Sequence, residues 1–271
     1  MFNLKVNFQR NNHIVFDPVP HTYTFKDKTL FTSCTTLLKD LFPAFDSRST
    51  AVKCVNGAKY KKMLQDQPNL SEEDKVAFIQ NKWMELGKEA REKGTALHEC
   101  IERYLNDESV PNDPVMDTAE FQQFLAFHRS MLDRGYRPLN SETIVYDEHY
   151  QICGTIDQLY IKNGQVTIVD WKRTKGISTY AFDNVKGFMP VPHLKNANYY
   201  KYALQLNLYK FILEKNYNLD VNQMLLVGFY PTKKQYEEFE VQNFQKEMQF
   251  ILAQHVHFPY DHISNHEHDV L

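Results

Sequence analysis

Two carboxylates and a lysine have the types and spacing to do chemistry: Asp157, then Asp170 with Lys172 two residues beyond it. An alternating stretch joins them, interrupted by Asn163-Gly164. Asn-Gly is the strongest short hairpin signal, because a type I′ turn needs positive φ at both central residues. A two-residue loop there pairs Lys162 with Gln165. Counting back along the ladder sets Asp157 opposite Asp170 and Thr155 opposite Lys172. Side chains alternate along a strand, so Asp157, Asp170 and Lys172 share a face with the apolar Leu159, Ile161, Val166 and Ile168. Facing residues of an antiparallel pair hold their Cβ atoms about 4.5–5.5 Å apart. Two like charges at roughly 5 Å repel by about 3 kcal/mol at an effective dielectric near 20. A divalent cation between them offsets that repulsion, and oxygen ligands suit Mg²⁺ or Mn²⁺. The ammonium of Lys172 can then orient an attacking water or neutralise charge on a pentacovalent phosphorus. On this geometry, Asp170→Asn leaves the metal-free protein as stable or more stable. The plainer alternative is a surface hairpin with solvated acids, since a lone Asp-x-Lys triplet is common. The facing Asp157 and the apolar company favour the metal site.

The elements that must hold this hairpin are legible in outline. Residues 13–32 alternate as a hairpin, with Tyr23 and Phe25 on one face and a polar turn at 26–28. Ser33 or Thr35 caps a short helix that Pro43 ends. Helices follow at 50–65 and 72–92, the second capped by Ser71 with early acids. Gly94-Thr95 interrupts the pattern, and a new helix runs to Leu105, burying Leu97, Ile101 and Tyr104. Another covers 117–134. The period then switches to two, with strands at 142–147, 152–161 and 165–172. An aperiodic segment, 174–195, is long enough to be a lid, a clamp or a plain connection. A helix at 196–215, strands at 225–230 and 236–241, and a helix at 243–254 complete the chain. The expected class is α/β (α+β): a mixed central sheet flanked by helices, with an α-rich N-terminal region. The expected division is 1–90, a hairpin and helical region, and 91–271, the core carrying the site.

Net charge is -3, so no global charge announces a nucleic-acid partner. The local picture differs. Residues 171–215 carry eight basic side chains against Asp183 and Glu214, interleaved with Trp171, Tyr180, Phe182, Phe188, Tyr199, Tyr200 and Tyr202. Basic groups suit phosphates and aromatic faces suit unstacked bases. Arg173, Lys175 and Lys201 are the candidate phosphate contacts. Lys201, Gln205 and Tyr209, at i, i+4 and i+8, share one helical face. The four cysteines, Cys34, Cys54, Cys100 and Cys153, form no CxxC pair, which points to reduced intracellular thiols. No apolar run has the length of a membrane span or the look of a signal peptide, so a soluble protein of cytoplasm or nucleus is expected. His255, His257, His262, His266 and His268 near the C-terminus lack a regular ligand spacing and read as a solvated tail.

Gly154-x-x-Asp157, Asp170-Trp171-Lys172 and Gln205-x-x-x-Tyr209, in that order, resemble the PD-(D/E)XK nuclease superfamily, and within it the RecB-like and phage-exonuclease-like branch. Gly94-Thr-Ala-Leu-His98 is similar to that branch's helical histidine. The resemblance covers roughly residues 90–230. It implies a restriction-endonuclease-like sheet and a metal site of Asp157 and Asp170, with His98 as a further ligand and the backbone carbonyl of Trp171 completing it. It also implies a glutamate on the first core strand, for which Glu142 is the candidate, and a nucleotide- or ligand-ordering role for Gln205 and Tyr209. The implied activity is an Mg²⁺- or Mn²⁺-dependent deoxyribonuclease, an exonuclease of viral or phage DNA processing or recombination. DNA is then the substrate, and a recombination or replication protein a further partner. Thr155-Ile156 stand where a proline can precede Asp157. No cysteine follows Cys153, which excludes the iron–sulfur cluster of some relatives on ligand count. Pro20-His-x-Tyr23 and Phe42-Pro-x-Phe-Asp46 look similar to extensions on viral and phage members. Two alternatives remain: a non-catalytic nucleic-acid-binding protein on a nuclease fold, and an RNA-directed endonuclease.

Overall fold

The computed structural model describes residues 8–17, 20, 22–26, 29–64, 69–106, 113–181 and 184–257. The chain divides into two compact units. Among the described residues, one comprises those up to Pro43 and those from Ala96 onward, and the other spans Ala44–Thr95.

The first unit opens with β1 (Ile14–Asp17), β2 (Thr22–Phe25), β3 (Thr29–Ser33) and the short helix α1 (Cys34–Lys39). Ser33 caps α1 by accepting the Thr36 N–H. Tyr23 and Phe25 share a buried face, with Phe31 beside them. β3 does not stop at the hairpin. It runs parallel to a core strand, Thr32 beside Ile152 and Ser33 beside Cys153. That pairing draws residues 8–43 into the core unit, away from the helical region with which their sequence grouped them.

The second unit holds α2 (Ser47–Cys54), α3 (Ala58–Met63) and most of α4 (Glu72–Leu105). The single helix expected at 50–65 is split at Gly57, whose N–H returns to Cys54 O at 2.8 Å. α4 instead runs unbroken through Gly94. A helical glycine costs only about 1 kcal/mol relative to alanine, and ion pairs such as Lys93–Glu89 and Lys88–Glu92 support the helix beside it. The expected stop was therefore too weak to act. Ser71 caps the helix as expected, its Oγ 3.1 Å from the Asp74 N–H.

The rest of the core unit follows the order α5 (Ala119–Asp133), β4 (Arg137–Asp147), β5 (Ile152–Lys162), β6 (Gln165–Arg173), α6 (Asn198–Asn216), β7 (Val221–Phe229), β8 (Glu237–Glu240) and α7 (Gln245–His257). The eight strands form one mixed sheet, in the order β1-β2-β3-β5-β6-β7-β8 with β4 on β5. Helices cover both faces. α1, α6 and α7 pack on one, through Leu37, Leu204, Leu208, Ile212 and Leu252. The end of α4 and all of α5 pack on the other, through Leu97, Ile101, Phe121, Phe124 and Phe127 against Trp171, Val169 and Phe229. This is the mixed sheet flanked by helices that the pattern of elements required.

The topology around β5 decides where the site lies. β4 occupies one edge of β5 along its length. β3 and β6 must share the other, β3 at residues 152–153 and β6 at residues 158–162. Between them, residues 154–157 face no strand on that side among the described residues. β5 also breaks strict alternation there: Ile152, Ile156 and Leu159 all join the α6-side core, while Cys153 and Tyr160 lie in other clusters.

Candidate metal centre

The Asn163-Gly164 turn forms with φ of 52° and 83°, and Lys162 pairs with Gln165. The ladder continues in the expected register to Gln158 opposite Val169 and stops one step short of Asp157 and Asp170. On its other edge β6 pairs with β7 along its length, Asp170 beside Leu226 and Lys172 beside Gly228. The expected facing of Thr155 with Lys172 is not made. Thr155 pairs with Ile144 and its hydroxyl lies 3.0 Å from that of Tyr23. On that edge of β5 the place of β6 is taken further back by β3, and the Asp157 side chain takes over one lost contact: its Oδ2 accepts the Trp171 N–H at 2.9 Å.

Glu142 reaches the same place from the other edge of β5. Its neighbours Ser141 and Thr143 pair with Gln158 and Ile156, which sets Glu142 level with Asp157. It adopts φ of 42° inside a strand, a left-handed conformation that costs a non-glycine residue on the order of 1–3 kcal/mol and re-aims its side chain. His98, on α4, supplies the third group. Its Nδ1 lies 3.6 Å from Glu142 Oε1 and 3.7 Å from Asp157 Oδ1. One ligand atom from each of His98, Glu142 and Asp157 falls within 4.8 Å of the others. Asp170 stands beside this trio with Lys172 Nζ 3.0 Å from its Oδ1 and 2.9 Å from its Oδ2. Oδ2 receives no directed hydrogen bond although Asp170 is 2% exposed.

The charges are strained against their surroundings. Burial pushes the Asp170 carboxyl up to about 6, with Asp157 reinforcing the shift and Lys172 opposing it. Burial likewise raises Asp157, against the pull of His98 and Lys172, and Glu142 adds to the rise. Burial disfavours the charged forms of His98 and Lys172, yet the carboxylates around them outweigh it and both pKa values are raised. A donor set of one imidazole and carboxylates fits a hard divalent cation. Asp170→Asn relieves the burial of a charge beside Asp157 and also takes from Lys172 the carboxylate it is paired with.

Tyr209 is placed otherwise than a nucleotide contact requires. It is 2% exposed, and its ring lies so close to Gly154 that a Cβ there would meet Tyr209 Cε1 at 2.6 Å. Gln205 Nε2 donates to its hydroxyl at 2.7 Å. The Gly-x-x-Asp and Gln-x-x-x-Tyr motifs are thus two halves of one packing contact: the tyrosine ring lies on the α6-side face of β5 at Gly154, and only glycine admits it. Arg173 is committed to the protein, its Nε 2.8 Å from the buried Glu120. Lys201 is half-buried against Phe42, and burial lowers its pKa. Of the five candidate nucleic-acid contacts, Lys175 alone is exposed. Trp171 contributes its N–H to Asp157 and buries its ring.

Two residues near the site were not anticipated in these roles. Tyr202 lies under the Lys172 ammonium, 5.1 Å from Nζ to ring centroid; its place three residues before Gln205 on one helical face was the available signal. Glu120 has no such signal, since only the tertiary fold brings α5 to the end of β6. His255 is no tail residue: it is buried on α7 with Nε2 2.9 Å from Tyr150 O. His262, His266 and His268 lie outside the described residues.

Comparison with known proteins adds one firm result. A model of the PD-(D/E)XK nuclease superfamily matches residues 70–269. No curated protein matches. Among solved structures, one titled "Crystal structure of SSO0001" is 14% identical, with 87% of this chain and 79% of that chain covered, at a TM-score of 0.32.

Proposed function

The chain belongs to the PD-(D/E)XK nuclease superfamily, and from that premise we propose that it hydrolyses phosphodiester bonds of DNA with Mg²⁺ or Mn²⁺ held by His98, Glu142, Asp157 and Asp170. One observation carries the proposal: three ligand atoms from three separate elements converge within 4.8 Å, beside the buried, lysine-paired carboxylate of Asp170. Such a cation, when bound, polarises a phosphoryl oxygen and lowers the pKa of water. The chain's own residues do the rest. Lys172, paired with Asp170 and seated on the Tyr202 ring, presents a fixed positive charge for the phosphoryl oxygens as they gain charge. His98 is oriented by Glu142 and Asp157. The Trp171 N–H fixes one oxygen of Asp157 and leaves Oδ1 facing His98.

Exonuclease action, and a place in viral or phage DNA processing alongside a recombination or replication protein, rest on the likeness of the Gly94–His98 and Gln205–Tyr209 segments to the phage-exonuclease-like branch. The presence together of His98, Glu142, Asp157, Asp170 and Lys172 speaks against a non-catalytic binding protein. Among the described residues, no helix is long and apolar enough to cross a membrane.

The test is incubation of purified protein with labelled single- and double-stranded DNA and RNA, with Mg²⁺, Mn²⁺ or EDTA. DNA is cut with either metal and left intact in EDTA, and Asp170→Asn lowers the rate on the order of 10²–10³-fold. Intact DNA under every condition overturns the proposal, and cleavage of RNA alone replaces it with the RNA-directed reading.

A further inference from the structure

Segment 174–197 connects β6 to α6, and most of it lacks regular structure. It is nonetheless tied down. Lys186 and Lys195 form an antiparallel bridge. Gly187 N–H donates to Leu194 O at 2.9 Å, Asn196 N–H to Val185 O at 2.8 Å, and Phe188 N–H to Leu41 O at 2.8 Å. Ala181, Val191 and Leu194 are buried beneath it. At its start, Ser178 N–H donates to Asn198 Oδ1 at the head of α6.

On this anchored backbone, large apolar side chains point outward. Tyr180 is 72% exposed, Phe188 54% and Met189 70%. A segment with buried anchors so close by could have buried these rings too. Exposed apolar side chains gathered in one short stretch mark a contact surface. The chemistry around them names the contact. Lys195 Nζ lies 6.0 Å from the Tyr180 ring centroid, Lys175 and Lys186 are exposed, and the segment carries three lysines against one acid, Asp183. Aromatic faces beside ammonium groups suit a polyanion that carries flat rings.

We propose that this segment is a stacking platform for unpaired nucleotides, with bases on Tyr180 and Phe188 and phosphates on Lys175, Lys186 and Lys195. β6 leads directly from Lys172 into the platform, so a strand held there enters the site as a single-stranded end. The proposal deepens the nuclease function by naming the form of substrate, and it rests on that function only for the consequence of binding. Tethered backbone makes the surface preorganised, which lowers the ordering cost of binding.

Binding in EDTA separates the two claims, because it needs neither metal nor cleavage. Fluorescence anisotropy of the whole protein with labelled oligothymidylate, and separately with a blunt duplex, gives the affinities. Tyr180→Ala and Phe188→Ala each weaken oligothymidylate binding by about tenfold, within the range for one lost base–aromatic stack. Blunt-duplex affinity stays the same, and Tyr180→Trp restores wild-type binding. Lys186→Gln and Lys195→Gln each reduce the salt slope for the single strand by about 0.7. Wild-type affinity for the single strand in both alanine variants overturns the platform, and so does an equal loss for single strand and duplex. If the variants bind weakly while no variant or wild type cuts DNA, the platform stands and the nuclease function falls.

Discussion

Asp147 and Asp170 are the same residue type, both on strands of one sheet, and 1% and 2% exposed. Their surroundings differ in one respect, the supply of donors. Asp147 is saturated: Oδ1 accepts the Tyr150 N–H at 2.9 Å, and Oδ2 accepts Asn216 Nδ2 at 2.8 Å and lies 2.7 Å from Lys215 Nζ. Burial alone raises its pKa, but these donors outweigh burial and hold it below the usual carboxylate value. Asp170 has Lys172 alone, and burial wins. One carboxylate ties β4 to the end of α6, while the other keeps capacity for a ligand. A buried acid short of donors is therefore the more informative sign of a site than burial or charge by itself.

The comparison breaks most visibly at Asp147. Asp147→Ala strands the Tyr150 N–H and the Asn216 amide and unpairs Lys215, and urea unfolding should show a loss of about 3 kcal/mol. Because the folded pKa is depressed, this contribution is present above the unfolded value of about 3.9 and is lost as pH falls through the folded value. Wild type is expected to lose stability more steeply than Asp147→Asn as pH falls below about 4, measured as urea midpoint against pH. Equal slopes would mean that Asp147 is not held as described.

Gly154→Ala is the next in size. The added methyl meets the Tyr209 ring at 2.6 Å and Cys34 Sγ at 3.2 Å. Neither is a flexible surface group, so a cost of about 1–3 kcal/mol is expected. A neutral result would show that the tyrosine is not seated on β5. Glu142→Gln sharpens the contrast from the other side. It removes charge from a crowded group and leaves no saturated network behind, so stability without metal should change by no more than about 0.5 kcal/mol, while Mn²⁺ binding weakens. A loss as large as that of Asp147→Ala would remove the distinction between the two regions.

Much of this was legible from local rules. The Asn163-Gly164 turn fixed the β5–β6 register, and the 3.6-residue pattern located α5 and α6. His98, Glu142, Asp157, Asp170 and Lys172 are brought to one place. What local rules missed is non-local. The β5–β6 ladder ends before Asp157, and β3, more than a hundred residues earlier in the chain, takes part of the same edge of β5. The burial of Tyr209 against Gly154 and the left-handed conformation of Glu142 are likewise tertiary features that no spacing rule predicts. Arg173 looked free because Glu120, its partner, sits on a helix that no spacing rule connects to it.

The central claim is that the donor-poor acids bind a divalent cation and the saturated one does not. Titration of Mn²⁺ into metal-free protein, with free Mn²⁺ read by electron paramagnetic resonance, tests it directly in wild type, Asp157→Asn and Asp147→Asn, each first shown by urea unfolding to be folded under the assay conditions. Saturable binding to wild type, retained by Asp147→Asn and weakened about tenfold or more in Asp157→Asn, is the expected result. No saturable binding to wild type, or equal binding by wild type and Asp157→Asn, would contradict it.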